Sequence, residues 1–192
     1  MNIAIFASGN GTNLQAIIDA VSRGRIKAKI ALVVSDNKNA YALERAKKSG
    51  IKTFVLSPKA FETREDYDRE IMKALAKNKI GLIVLAGFMR LLSPYFVREY
   101  KNKILNIHPA LLPAFKGTCG IKDAFDAGVK KTGVTVHFVD EELDHGPIIL
   151  QETLNIDKDD TLQTLEEKIH KVEHKLYPKA IRLFVEGKLS AK

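Results

Sequence analysis

The stretch Asn2-Ile3-Ala4-Ile5-Phe6-Ala7-Ser8-Gly9-Asn10-Gly11-Thr12-Asn13-Leu14 decides the fold. Residues 2–7 are apolar almost throughout, so they read as a strand buried on both faces rather than one with a wet side. A polar turn with two glycines follows. Then Leu14, Ile17, Ile18 and Val21 recur at i, i+3, i+4 and i+7, one face of a helix that Arg23-Gly24 ends. Strand, glycine turn and helix in that order make the first βα unit of a parallel sheet.

The same alternation continues outward. Residues 28–35 read as a second strand, 36–39 as a loop and 41–48 as a helix stopped by Gly50. Residues 52–56 read as strand three, 63–78 as a charged amphipathic helix and 82–86 as strand four. Ser93-Pro94 starts a further helix with a cap and a proline at its first position, and residues 104–108 form strand five. Apolar strands alternating with helices give an α/β class, a Rossmann-like and mainly parallel sheet with helices on both faces. Beyond it, residues 133–139 and 146–154 read as two antiparallel strands joined by the acidic run from Asp140 to His145. Asp160 is expected to cap the last helix with Gln163 as its capping-box partner. Leu162, Leu165, Ile169, Val172 and Leu176 form that helix's stripe, Pro178 should kink or end it, and a short helix through Phe184 and Val185 should close at Gly187. No linker or repeat interrupts the chain. The expectation is one domain, 1–192, with a nucleotide-binding half over about 1–100 and a catalytic half over about 101–192.

Composition narrows the function classes. The 192 residues carry a net charge of +8 and 45% hydrophobic residues, ordinary for a globular protein. There is no apolar window of about 18 residues and no leader-like start, so neither a membrane span nor secretion is expected. One cysteine, Cys119, rules out an intrachain disulfide, and a cytoplasmic protein is expected. Lys and Arg are scattered, basic runs such as Lys47-Lys48 are short and Trp is absent, which argues against a nucleic-acid platform. A basic field that gathers small anionic substrates fits better.

The chemistry concentrates in Leu105-Asn106-Ile107-His108-Pro109. Asn106 and His108 alternate onto one face of a strand that Pro109 terminates, equipment for holding a polarised carbonyl; a buried pair that merely satisfies the core is the plain alternative. The turn at Gly9-Asn10-Gly11-Thr12-Asn13 offers backbone N–H groups and a helix N-terminus to an anion. It is no Walker A loop, and Leu14 stands where a dinucleotide fingerprint needs a third glycine, although Asp36 sits where a ribose-binding acid would. One phosphate is favoured over a pyrophosphate. The acidic loop could bring a carboxylate to His108, though most such runs are simply solvated. His137 lies in an alternating strand and its direction is open. His170 and His174 have a metal-like spacing but no third ligand nearby, so a surface pair is expected. Glu173, alone on that helix, is ordinary as a surface residue, and Cys119 has no neighbouring base to make it a nucleophile.

Taken together, residues 8–14, Leu85-Ala86-Gly87-Phe88-Met89-Arg90, residues 105–113, and Val136-His137-Phe138-Val139 through Asp144-His145-Gly146-Pro147 resemble the glycinamide ribonucleotide formyltransferases of purine synthesis, within the wider formyl-folate transferase family. The likeness runs from Asn2 to about Gly187. It implies that the amine of glycinamide ribonucleotide attacks the formyl carbon of 10-formyl-tetrahydrofolate, the cosubstrate, and that tetrahydrofolate leaves. By this resemblance Asn106, His108 and Asp144 are catalytic, the first two holding the developing oxyanion and Asp144 pairing with His108. Gly11, Thr12, Asn13 and Glu173 are implied to bind the ribonucleotide. Arg64, Met89, Arg90, Leu91, Leu92, Asn106, Asp140, Glu141, Glu142, Leu143 and Asp144 are implied for the folate, Arg64 suiting its glutamate carboxylates. Neither metal, nucleic acid nor membrane is implied; a homodimer is compatible with it. One departure stands out, because the family often has histidine where Cys119 is.

Two rivals share the core or its first turn. A formyl-tetrahydrofolate hydrolase would use the same three residues with water as acceptor, and would be expected to carry a regulatory segment ahead of strand one. A dinucleotide-binding oxidoreductase or sensor would use the glycine turn and Asp36 instead.

Overall fold

The computed structural model describes residues 1–189; the last three residues of the expected 1–192 domain lie outside them. β1 (Asn2–Phe6) sits inside a sheet whose strand order is β3-β2-β1-β4-β5-β6-β7. In chain order the remaining elements are α1 (Thr12–Ser22), β2 (Lys29–Ser35), α2 (Tyr41–Lys48), β3 (Thr53–Val55), a 3₁₀ turn at Pro58–Ala60, α3 (Arg64–Lys77), β4 (Ile80–Leu85), α4 (Pro94–Glu99), β5 (Ile104–His108), α5 (Gly120–Asp126), β6 (Lys131–Phe138), β7 (Ile148–Asn155) and α6 (Leu162–Val185). β1 to β5 run parallel, and β6 and β7 are antiparallel. The expected Rossmann-like α/β sheet with an antiparallel end is therefore what the chain forms. The order reverses between β1 and β4, so the carboxyl ends of those strands open a crevice there, the place where such sheets take ligands.

Alternation along each strand sorts the core into two layers. Ile3, Ile5, Val33, Leu82, Val84, Leu105 and Ile107 pack under α1, α2 and α6. Ala4, Phe6, Leu32, Val34, Ile83, Leu85 and Ile104 pack under α3 and α4. Asn106 and His108 continue the second set beyond the last apolar residue, so they emerge on the α3–α4 face beyond the helices that cover the strands.

Two expectations about α6 need correction. Its cap is Thr161, whose hydroxyl accepts the Thr164 N–H at 3.2 Å while Thr164 Oγ1 accepts the Thr161 N–H at 3.0 Å. Asp160 sits one residue too early to cap, and its carboxylate instead accepts from Lys168 at 2.7 Å and from the Thr164 hydroxyl at 2.8 Å. The Lys168 ammonium first, then the Asp157 N–H, hold it down to about pH 2. Nor does Pro178 end the helix. It deletes one intrahelical bond, at a cost of about 3 kcal/mol, but Tyr177, Ala180 and Ile181 around it are buried against the sheet and hold one helix through to Val185. The expected separate short helix is the end of α6. The short α5 carries no marked periodicity in the sequence.

Candidate functional site

The polar tip of β5 is built by register. β5 and β6 pair antiparallel with Asn106 opposite His137 and His108 opposite Thr135, so all four side chains project to one face. Asn106 Nδ2 lies 3.1 Å from His137 Nε2 and 3.4 Å from Asp144 Oδ1. His137 Nδ1 is 2.8 Å from the Phe138 carbonyl, a contact that requires a proton on Nδ1. In the neutral ring the Nε2 lone pair then faces the Asn106 amide. His108 places Nδ1 3.4 Å from Asp144 Oδ2 and Nε2 2.7 Å from the Phe115 carbonyl. Both are hydrogen bonds only when the ring carries both protons.

Asp144 is the hub. It has a positive φ of 48° and is buried, unlike the exposed Glu141, Glu142 and Leu143 that precede it. Burial alone would raise its carboxyl pKa. The His137 ring, its Nε2 3.7 Å from Oδ1, the Gly117 N–H donating at 2.9 Å and the His108 ring beside it together override burial and keep it below its ordinary value. Its neighbours in the acidic loop look elsewhere: Asp140 pairs with His145 at 2.8 Å and Glu141 lies 3.5 Å from Arg98.

Residues 109–119 roof the cluster. Thr135, fully buried, donates to the Ala110 carbonyl at 2.7 Å and accepts the Leu112 N–H at 3.1 Å. Phe115 adopts φ 52°, a left-handed conformation uncommon for a bulky residue, and so turns its carbonyl onto His108. Gly120 starts α5 so close by that a Cβ there would stand 3.1 Å from His108 Nε2 and 3.1 Å from the Phe115 carbonyl.

A second group of residues gathers at the first turn. Gly11 has φ 75°, and a Cβ on it would fall 2.7 Å from the Ala42 Cβ, so only glycine fits. The N–H groups of the first turn of α1 are left open just after it. Asn13 Nδ2 donates to Glu173 Oε2 at 3.1 Å, and His170 Nδ1 lies 2.9 Å from the same oxygen. Tyr177, one turn beyond Glu173, sets α6 in place: its buried hydroxyl lies 2.8 and 2.9 Å from the Leu85 and Leu105 carbonyls. The Glu173 hydrogen bond raises the His170 pKa, whereas burial lowers that of His174.

The segment after β4 links the two groups. Ser8 Oγ accepts the Met89 N–H at 2.9 Å, tying it to the glycine turn. The buried Asp68 carboxylate accepts the Ser93 N–H at 2.5 Å, and the Arg90 guanidinium stacks over Tyr67 at 5.4 Å. Met89, Leu91 and Leu143 are half or more exposed, while Leu92 is buried. Arg64, exposed at the start of α3, and Arg90 both act on Asp68, although burial dominates and raises its pKa. Asp144 thus touches both Asn106 and His108, and Asn13 touches Glu173. Among the described residues no hydrogen bond or ion pair joins Arg64, Glu141 or Glu142 to either group. His137, left open in sequence, is a full member of the first. Asp36, the candidate ribose acid, has one buried carboxylate oxygen with no partner among the described residues.

A parallel sheet with an antiparallel end, a phosphate-type turn after β1 and an Asn–His–Asp cluster at the tip of β5 define a group-transfer enzyme of the formyl transferase kind. The chain belongs to the formyl transferase family, which its residues 1–181 match. It is 46% identical over 179 residues to the phosphoribosylglycinamide formyltransferase of Bacillus subtilis, covering 93% of this chain and 92% of that one. A trifunctional purine biosynthetic protein of Chironomus tentans is 45% identical over 96% of the chain, which spans only 14% of that protein's length. Among solved structures, glycinamide ribonucleotide transformylase 1 from Symbiobacterium toebii superposes with a TM-score of 0.97 at 43% identity, over 100% of this chain and 91% of that one. No helix among the described residues is long and apolar enough to cross a membrane.

Proposed function

We propose that this chain, as one formyltransferase domain, transfers the formyl group of 10-formyl-tetrahydrofolate to the amine of glycinamide ribonucleotide in purine synthesis. The observation that carries the reading is the Asn106–His108–Asp144 contact set beside a glycine turn at the sheet's switch point. Exposed Met89, Leu91 and Leu143 offer apolar surface beside that cluster, and Arg64 and Arg90 add cations, a fit for a flat heterocycle bearing carboxylates. The first-turn N–H groups of α1 suit one phosphate, and Asn13 with Glu173 suits donor groups of the ribonucleotide.

In the proposed chemistry the amine adds to the formyl carbon and negative charge develops on the formyl oxygen. Asn106 Nδ2 and the His108 ring donate to that oxygen, leaving the acceptors that hold them at rest. Asp144, kept ionised, accepts from His108 Nδ1–H and draws off the amine proton through a water, while the departing folate nitrogen regains one. The sum is a formyl group exchanged for a proton, and no metal is part of it.

A formyl-transfer assay with glycinamide ribonucleotide, against water and simple amines as acceptors, tests the reading. Formylation of the ribonucleotide at least about 10³-fold faster than hydrolysis is expected, the margin that positioning of two reactants supplies. Equal rates with water would point to a hydrolase and sink the proposal.

A further inference from the structure

Beside the glycine turn, on the opposite side of the sheet from His108, α1 and α6 enclose a groove of about 630 Å³. Its walls carry Arg23, Arg25, Lys175, Lys179 and Arg182, against a single carboxylate, Asp19. Arg182 lies 4.0 Å from Glu186. Arg23, Arg25, Lys175 and Lys179 have no carboxylate partner among the described residues. Asp19 is taken up by Gln15, which donates to it at 2.9 Å. The inner end of the groove is Thr12, the residue at which α1 begins, and Arg45, whose guanidinium donates to the Asn10 carbonyl and side chain at 2.9 Å each. Arg45 therefore braces the glycine turn and leaves the outer four cations uncommitted.

Unpaired charges of one sign around a concave, low-dielectric wall focus their field into it. Here the field leads to a turn whose backbone N–H groups are themselves an anion seat. We infer that the groove is an outer anion site that gathers the phosphate of the ribonucleotide substrate and delivers it to the Gly11–Thr12–Asn13 turn. The inference rests on reading that turn as the phosphate seat. It adds a distinct set of residues, none of which touches the reacting atoms.

The test replaces Arg23, Arg25, Lys175 and Lys179 by Gln together. At an ionic strength of about 20 mM, where screening is weak, KM for glycinamide ribonucleotide should rise on the order of tenfold. The value of kcat and the folate KM should stay within twofold. In about 0.5 M salt the variant and its parent should converge. A control with Lys52, Lys77, Lys101 and Lys103 replaced by Gln makes the same change in net charge on exposed sites elsewhere, and should leave the ribonucleotide KM where it was. Calorimetric titration with inorganic tripolyphosphate reads the groove without catalysis; saturable binding in the parent should weaken at least tenfold in the groove variant. If the parent binds tripolyphosphate as expected yet transfers no formyl group, the functional reading fails and the groove stands as an anion site. An unchanged ribonucleotide KM, an equal rise in the control, or tripolyphosphate binding that the groove variant retains would each overturn the inference.

Discussion

The chain holds two pairs of histidines, and they differ in every respect that matters for chemistry. His108 and His137 lie on neighbouring strands, almost wholly buried, and every ring nitrogen has a partner within 3.4 Å. His170 and His174 lie one turn apart on α6 with their rings stacked at 6.3 Å. His170 is half exposed, and the buried Nε2 of His174 has no partner among the described residues. The strand pair is positioned by backbone register and roofed by a loop; the helix pair is positioned by side-chain packing at the rim. Preorganised polar groups converging on one point are what transition-state stabilisation needs, and the strand pair, with Asn106 and Asp144, supplies them.

The largest expected effect comes from breaking the strand cluster at its hub. Asp144→Asn keeps the shape but removes the charge that faces His108 and His137. Turnover should fall by roughly 10²- to 10³-fold, the scale of losing an oriented proton partner, while far-UV circular dichroism stays that of the parent. Near-normal turnover in the folded variant would take Asp144 out of the mechanism. A subtler break acts through Gly120. In Gly120→Ala the new methyl group would press on His108 Nε2 and on the Phe115 carbonyl. Because helical backbone offers no relief there, kcat should drop about tenfold, as small misplacements of a catalytic group do, with the ribonucleotide KM little changed. A rise in KM at constant kcat would show that Gly120 serves binding instead.

The two sites should also separate by pH. Asp144 is held below its ordinary 3.8, so its contribution to stability is complete above that value and is lost as pH falls through its lower folded value. His170 is raised by Glu173: what it adds is complete below about pH 6.5 and fades as pH rises through its folded value. His174, lowered by burial, works the other way and withdraws stability as pH falls below about 6.5. On going from pH 8 to pH 5.5 the neighbours oppose each other. Thermal melts of His170→Gln should therefore decline more on acidification than those of the parent, and those of His174→Gln less. Parallel curves for all three proteins would mean that neither ring titrates against its surroundings as described.

The sheet was legible because its strands are solid apolar runs and its helices keep a 3.6-residue stripe; those periods survive any tertiary detail. Asn106 and His108 were legible for the same reason, since i and i+2 on a strand share a face. His137 was not, because its direction depends on which residue of β5 it faces, and the register of two strands separated by 22 residues of loop and helix is fixed by contacts far from either. Asp144 looked no different from Asp140 or Glu142 in sequence. A positive φ and the Gly117 N–H turn it inward, and both belong to folded loops. Gly120 gave no signal either, since its meaning is a 3.1 Å approach to a side chain twelve residues away. At α6 the pattern misled: Asp160 satisfied a capping rule one residue early, and Pro178 satisfied a helix-breaking rule that burial of its neighbours overrode.

The finest discrimination concerns Cys119, where the sequence resemblance leads to the expectation of a histidine. It is exposed, caps α5 without a side-chain hydrogen bond, and immediately precedes Gly120. Among the described residues its thiol reaches only the Thr118 hydroxyl, at 3.8 Å, so replacing it breaks nothing seen to hold the fold. An imidazole there would add a stronger donor or acceptor beside the loop that roofs His108. Stability should change by less than about 0.5 kcal/mol, as for most exposed substitutions. Cys119→His should therefore retain kcat/KM or raise it a few-fold, and the gain should appear in kcat if the added group steadies the roof over the cluster. A loss of more than tenfold in steady-state kcat/KM would mean that the thiol, and not an imidazole, is what this loop is built around.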